Sequence, residues 1–105
     1  MLADRFRVSV EWSNGDRSGY AREVLTSGNS GIFSFFDTAN WEVMVKVLDA
    51  CAFSGSYWVF FAGTTDVGFT LRVEDTATGD VRVYSNPVGR TAETVTDTAA
   101  FHNCS

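Results

Sequence analysis

Hydrophobic and polar residues alternate with a period of two over three separate stretches of the chain. From Arg5 to Trp12, Phe6, Val8, Val10 and Trp12 alternate with Arg5, Arg7, Ser9 and Glu11. From Trp41 to Asp49, Trp41, Val43, Val45 and Val47 share one phase, opposite a mixed phase of Glu42, Met44, Lys46 and Leu48. From Val67 to Val73, Val67, Phe69, Leu71 and Val73 alternate with Gly68, Thr70 and Arg72. Residues two apart in a strand lie on one face, so each stretch predicts a strand with its apolar face on a core. The third stretch runs on through Asp75 to Asp80, where carboxylates suit local N–H groups and Gly79 accepts a positive φ. Val81 and Val83 then resume the alternation, so Val67 to Tyr84 predicts a β-hairpin whose return strand points both valines inward.

Weaker patterns fill the gaps. Asn14-Gly15 is a turn signal, and Ser18 to Leu25 predicts a strand with less regular alternation. Thr26 to Gly31 reads as a loop, and Ile32 to Phe36 as a short strand broken at Asp37. Tyr57 to Ala62 is apolar in both phases, which predicts a central strand, and Thr91 to Phe101 predicts a last one with Val95 and Phe101 inward. No window holds a 3.6-residue period over helical length. About eight short strands, spaced roughly 8 to 12 residues apart, predict an all-β fold. The expected architecture is a single antiparallel β-sandwich of seven or eight strands over residues 1–105, Ig-like in general layout.

Charge and cysteine content narrow the setting. Thirteen acidic residues against eight basic ones leave a net charge of -5, and the basic residues form no run. Phosphate binding needs a basic face, so nucleic acid is not an expected partner. No apolar run is long enough to span a membrane. Cys51 and Cys104 suffice for one bridge, which would close a loop of about 54 residues and stabilise by roughly 4 kcal/mol in the chain-entropy view. A bridge implies export, and Cys104 is placed to tether a chain end. The alternative is two free thiols in a reducing compartment. Met1-Leu2-Ala3-Asp4 has neither the basic nor the apolar region of a signal peptide, so an exported form would have its leader outside this sequence.

The segments FRVSVEW, SGIFSFFDTANWEVMVKVLDAC, YWVFFAGTTDVGFTLRVEDTATGDVRVYSNPVG and DTAAF resemble a recurrent bacterial module of secreted proteins, often found near their C-termini. Its pattern is F-x-F-F-D-x-x-N-x-E-x-x-x-K-V-L-D-G, followed by F-W-V-F and D-T-A-T-G. This chain departs from it at Ala50, where glycine is usual, and at Trp41, where a smaller apolar residue is common. The resemblance implies an extracellular β-sandwich and brings no catalytic residues with it.

Several chemistries remain to be weighed. The one histidine, His102, lies near the C-terminal end, five residues after Asp97, and no G-x-S-x-G elbow accompanies it. One His and two Cys cannot build a zinc or copper site. Asp37, Asn40 and Glu42 form a D-x-x-N-x-E cluster that could serve calcium, although Asp37 and Asn40 could equally close an Asx-turn with no ion. No metal or other cofactor is expected to be required. A carboxylate pair for glycoside hydrolysis is arithmetically easy with thirteen acidic residues, so it carries little information.

Sugar binding needs exposed rings, and Trp41, Tyr20, Tyr57, Trp58 and Tyr84 are the candidates. Tyr84, in phase with Arg82 and opposite Val81 and Val83, is expected to face solvent, and Trp41 adjoins a polar loop. The expectation is a non-catalytic extracellular accessory module that binds a carbohydrate or cell-surface polymer. Trp41 and Tyr84 would stack on sugars while Asp37, Asn40 and Arg82 take hydroxyls. The alternatives are a structural or adhesion domain that contacts protein or self-associates through a sheet, and a small hydrolase using a carboxylate pair or His102.

Overall fold

Nine strands and one short helix make up the computed structural model, which describes residues 1–104. In chain order they are β1 (Phe6–Ser13), β2 (Ser18–Tyr20), β3 (Arg22–Thr26), β4 (Ser30–Ser34), β5 (Val43–Asp49), α1 (Cys51–Ser54), β6 (Tyr57–Gly63), β7 (Gly68–Asp75), β8 (Val81–Asn86) and β9 (Val95–Phe101). They form two antiparallel sheets, β2-β1-β7-β8 and β3-β4-β5-β6-β9. The expected all-β sandwich is therefore the observed fold. Within that layout, β3 to β6 run as a four-strand meander and β9 completes their sheet beside β6.

The ninth strand arises because Ser18 to Thr26 is two strands in different sheets. β2 pairs with β1, then the chain crosses at Ala21, whose N–H donates to the Val10 carbonyl at 2.7 Å, and β3 pairs with β4. A bulge between Glu23 and Leu25 shifts the register of β3. Its extra residue explains the irregular alternation of this stretch.

Alternation elsewhere translates directly into burial. Phe6, Val10, Leu71 and Val73 of the four-stranded sheet meet Val45, Val47, Val59 and Phe61 of the five-stranded one in a single buried cluster. Cross-sheet ring contacts hold the cluster together: Phe6 packs on Tyr57 at 4.8 Å and on Phe101 at 4.9 Å, and Phe61 on Phe69 at 6.2 Å. Offset and edge-on packing of this kind adds to area burial.

One end of the sandwich is locked twice. Cys51 and Cys104 form the disulfide, with Cα atoms 5.8 Å apart and a sequence separation of 53. Beside it Arg5, half-buried just before β1, grips the fully buried Asp75 through Nε at 2.6 Å and Nη2 at 2.7 Å. Nη2 also donates to the Asn103 carbonyl at 2.8 Å, and Nη1 to the Tyr57 hydroxyl at 3.3 Å. Arg5 thus ties β7 of one sheet to β6 and the tail of the other. The Arg5 guanidinium, against the cost of burial, holds the Asp75 carboxyl below its ordinary range, helped by the Ala77 N–H. No helix among the described residues is long and apolar enough to cross a membrane.

Candidate functional site

The five residues expected to bind a ligand lie in two separate places. Asp37, Asn40 and Trp41 belong to the loop between β4 and β5, whereas Arg82 and Tyr84 are on β8 of the other sheet. The expectation that Tyr84 and Arg82 face solvent is corrected by the register of the hairpin. Glu74 pairs with Val81, so Arg82 opposes Val73 and Tyr84 opposes Leu71, both on the buried face. Val83 is instead 58% exposed. Loop length sets this parity, and a shift of one residue exchanges the two faces of a strand. Tyr84 packs its ring 5.3 Å from Phe61 and donates to Asp97 Oδ2 at 2.7 Å. Burial, reinforced by the neighbouring carboxylate, pushes its phenol above the ordinary range. Arg82 lays its guanidinium over Phe101 at 5.0 Å. Both residues serve the core.

The loop residues have local roles. Asp37 Oδ1 accepts the Ala39 N–H at 2.9 Å, and the Asn40 N–H donates to the Asp37 carbonyl at 2.9 Å. This is an Asx-turn at Asp37. Glu42 is buried, with Oε2 lacking a hydrogen-bond partner. Among the described residues no three His, Cys, Asp or Glu side chains gather as metal ligands. His102 is exposed beyond β9, and the nearby Asp97 is engaged by Tyr84. Tyr57 is buried beneath Arg5, and Tyr20 is exposed on the edge strand β2.

Trp41 does reach the surface, at 51% exposure, and it marks one end of a larger feature. The outer phase of the five-stranded sheet is apolar almost throughout. Leu25, Ile32, Met44 and Ala62 are successive cross-strand partners over β3, β4, β5 and β6. Ser30, Lys46, Phe60 and Thr96 form the next row over β4, β5, β6 and β9, and Leu48 opposes Trp58 beyond it. Trp58 and Phe60 stack with ring centres 5.8 Å apart and planes 20° apart. Phe53 of α1 meets Trp58 edge-on at 5.4 Å. The result is an aromatic strip in which the Trp58 and Phe60 rings on β6 are half-buried and Phe53 at its end is exposed.

Local structure fixes this strip. Gly55, in the left-handed region at φ 73°, closes α1 and turns the chain into β6. Ser54 Oγ donates to the Ala50 carbonyl at 2.9 Å and accepts the Trp58 indole N–H at 3.1 Å, which sets the ring's orientation. Two shallow depressions flank the strip. One, of about 130 Å³, is bordered by Lys46, Phe60, Thr94 and Thr96, and the other, of about 290 Å³, by Trp41, Ile32, Ala62 and Thr64. Met44 borders both.

Sequence reasoning named Trp41 and Trp58 as rings but missed Phe60, Met44 and Lys46 as their partners. Part of the signal was present: Met44, Lys46 and Leu48 share a phase, and Trp58 and Phe60 share one phase of the next strand, but only the register brings the two sets onto one face. Pairing in a hairpin puts all five on one face, and no helix of the predicted fold was available to cover it. No family model, curated protein or solved structure matches the chain.

Proposed function

We propose that this domain is a non-catalytic extracellular module that attaches to a carbohydrate or cell-surface polymer through the outer face of its five-stranded sheet. The observation that carries the reading is the half-buried Trp58–Phe60 stack with the exposed Phe53 edge-on to it, on a sheet face whose other end is marked by the exposed Trp41. Flat, pre-oriented rings suit the C–H faces of pyranose units, and the hydroxyls of Thr94 and Thr96 border the depression beside Phe60 for sugar hydroxyls. A contiguous exposed apolar face of this kind marks a place of contact. The disulfide supports the extracellular setting, since such bonds persist in oxidising compartments. The bacterial secreted module that the chain resembles agrees with that setting.

A second reading is an adhesion domain that meets protein. The aliphatic row Leu25, Ile32 and Met44 favours it, because such residues offer a sugar little beyond shape. Native electrophoresis through a panel of soluble polysaccharides, with and without calcium, decides between them. Retardation without shortening of the polymer is expected, with about a tenfold loss of affinity in Trp58→Ala, equivalent to about 1.4 kcal/mol. Shortened polymer would make the domain a hydrolase. An unshifted panel together with self-association would make it an adhesion domain.

A further inference from the structure

Charge is distributed over the five-stranded sheet in a way that its folding does not require. Its strands carry three carboxylates, Glu23, Asp49 and Asp97. All three occupy the inward phase, opposite Phe33, Tyr57 and Val59 respectively, at the margins of the sheet. The outer phase of these strands has none, in a chain with thirteen acidic residues. Glu42, just before β5, is buried. The outer phase has two cations instead: Arg22 at the β3 edge, opposite Ser34, and Lys46 in the middle, between Ser30 and Phe60.

Lys46 is the only lysine of the chain, and it has no ion-pair or hydrogen-bond partner among the described residues. On the opposite sheet, by contrast, Arg7 and Arg72 each lie 3.5 Å from Glu74. An unpaired ammonium beside a ring, on a face cleared of carboxylates, is complementary to an anion carried on a flat apolar scaffold. The overall charge of -5 does not oppose this, because repulsion from distant carboxylates is screened beyond about 8 Å at physiological ionic strength. The local cation decides.

Building on the polymer-binding reading above, we propose that the polymer is an acidic polysaccharide. Its rings stack on Phe60 and Trp58, and its carboxylate or sulfate groups receive the Lys46 ammonium in charge-assisted hydrogen bonds. The direction of Lys46 from Phe60 sets where the acid group must lie on a stacked sugar, so Lys46 determines specificity while the rings supply general affinity.

The test measures affinity for polygalacturonate, a sulfated galactan, neutral hydroxyethyl cellulose and poly-L-glutamate. The native domain should bind one of the acidic polysaccharides about tenfold tighter than the neutral one, and poly-L-glutamate, which has charge without sugar rings, no better than the neutral one. Which acidic polymer wins distinguishes carboxylate from sulfate. Lys46→Gln should abolish the preference, and Lys46→Arg should retain most of it. Arg72→Gln, on the opposite sheet, should change nothing. Equal binding of acidic and neutral polymers, or a preference that survives Lys46→Gln, overturns this inference alone. No binding to any polysaccharide overturns it together with the reading it rests on. Dimers in sedimentation that vanish in Trp58→Ala would give the face to a second copy of the chain and overturn both.

Discussion

The outer faces of the two sheets have opposite chemistry on nearly the same kind of backbone. On the four-stranded sheet, Arg7, Ser9 and Glu11 oppose Glu74, Arg72 and Thr70, and both Arg7 and Arg72 lie 3.5 Å from Glu74. On the five-stranded sheet the equivalent phase carries Ile32, Met44, Leu48, Trp58 and Phe60, with Lys46 among them. An antiparallel sheet needs one apolar face to fold, and its other face is ordinarily solvated. The first sheet follows that rule. The second gains nothing for the shared core from its outer rings, and this is what motivates the contact surface proposed above. In the proposed reading, fold and binding use different charges: Asp75 and Asp97 hold the sandwich through Arg5 and Tyr84, and Lys46 faces outward.

The largest test of that division is Arg5→Ala. It would strand the fully buried Asp75 carboxylate and should cost about 3–5 kcal/mol, read as a lowered midpoint in chemical denaturation. Polymer affinity, measured under conditions where the variant is folded, should not change. Acid should act through the same pair. Asp75 has a carboxyl held below its ordinary range, so its contribution is complete above about pH 4, the unfolded value. It is lost as pH falls through the still lower folded value. Stability should therefore decline steeply in that window in the native protein and less steeply in Arg5→Ala. A polymer affinity that fell with Arg5→Ala would break the division between holding charges and binding charges.

Tyr84→Phe sharpens the comparison from the inner side. The phenol donates to Asp97 in a half-buried setting, and a hydrogen bond to a charged acceptor contributes about 1.5–3 kcal/mol. A loss near the lower end is expected, because the site is partly open. The raised phenol implies that this contribution is complete below about pH 10 and declines as pH rises through the folded value. Binding should be unaffected. A variant that kept its stability and lost affinity for polysaccharide would return Tyr84 to the site, and the aromatic strip on β6 would lose its claim.

The two mistaken or missing readings have one cause. Alternation made β1, β5 and β7 legible, because each has a polar phase that identifies its apolar one. It also correctly placed β6 inside a sheet. It could not say which phase of β6 faces inward, since Trp58 and Phe60 are as apolar as Val59 and Phe61. On β8 the valines and the Arg82-Tyr84 pair competed for the inward phase, and hydrophobicity favoured the valines. Register decided otherwise: the Asp75–Asp80 loop aligns Val81 with Glu74, and the long side chains of Arg82 and Tyr84 find a ring and a carboxylate inside. The division of Ser18 to Thr26 between sheets turns on Ala21, a residue with no signal of its own. Cys51 and Cys104 were readable because distance in sequence does not obscure a pair of two.

The smallest effect is expected on the polar outer face itself. Glu74 is approached at 3.5 Å by Arg7 and by Arg72, which are 66% and 46% exposed. Exposed pairs of this kind contribute about 0.2–1 kcal/mol and weaken with salt. Glu74→Gln should therefore lower stability by no more than that in dilute buffer, and the difference should fade in 1 M salt. Polymer affinity should match the native protein at both salt concentrations. If instead the substitution altered binding, the charges of the four-stranded sheet would belong to a contact surface as well. The contrast between the faces would then be one of ligand chemistry, with each sheet presenting its own site.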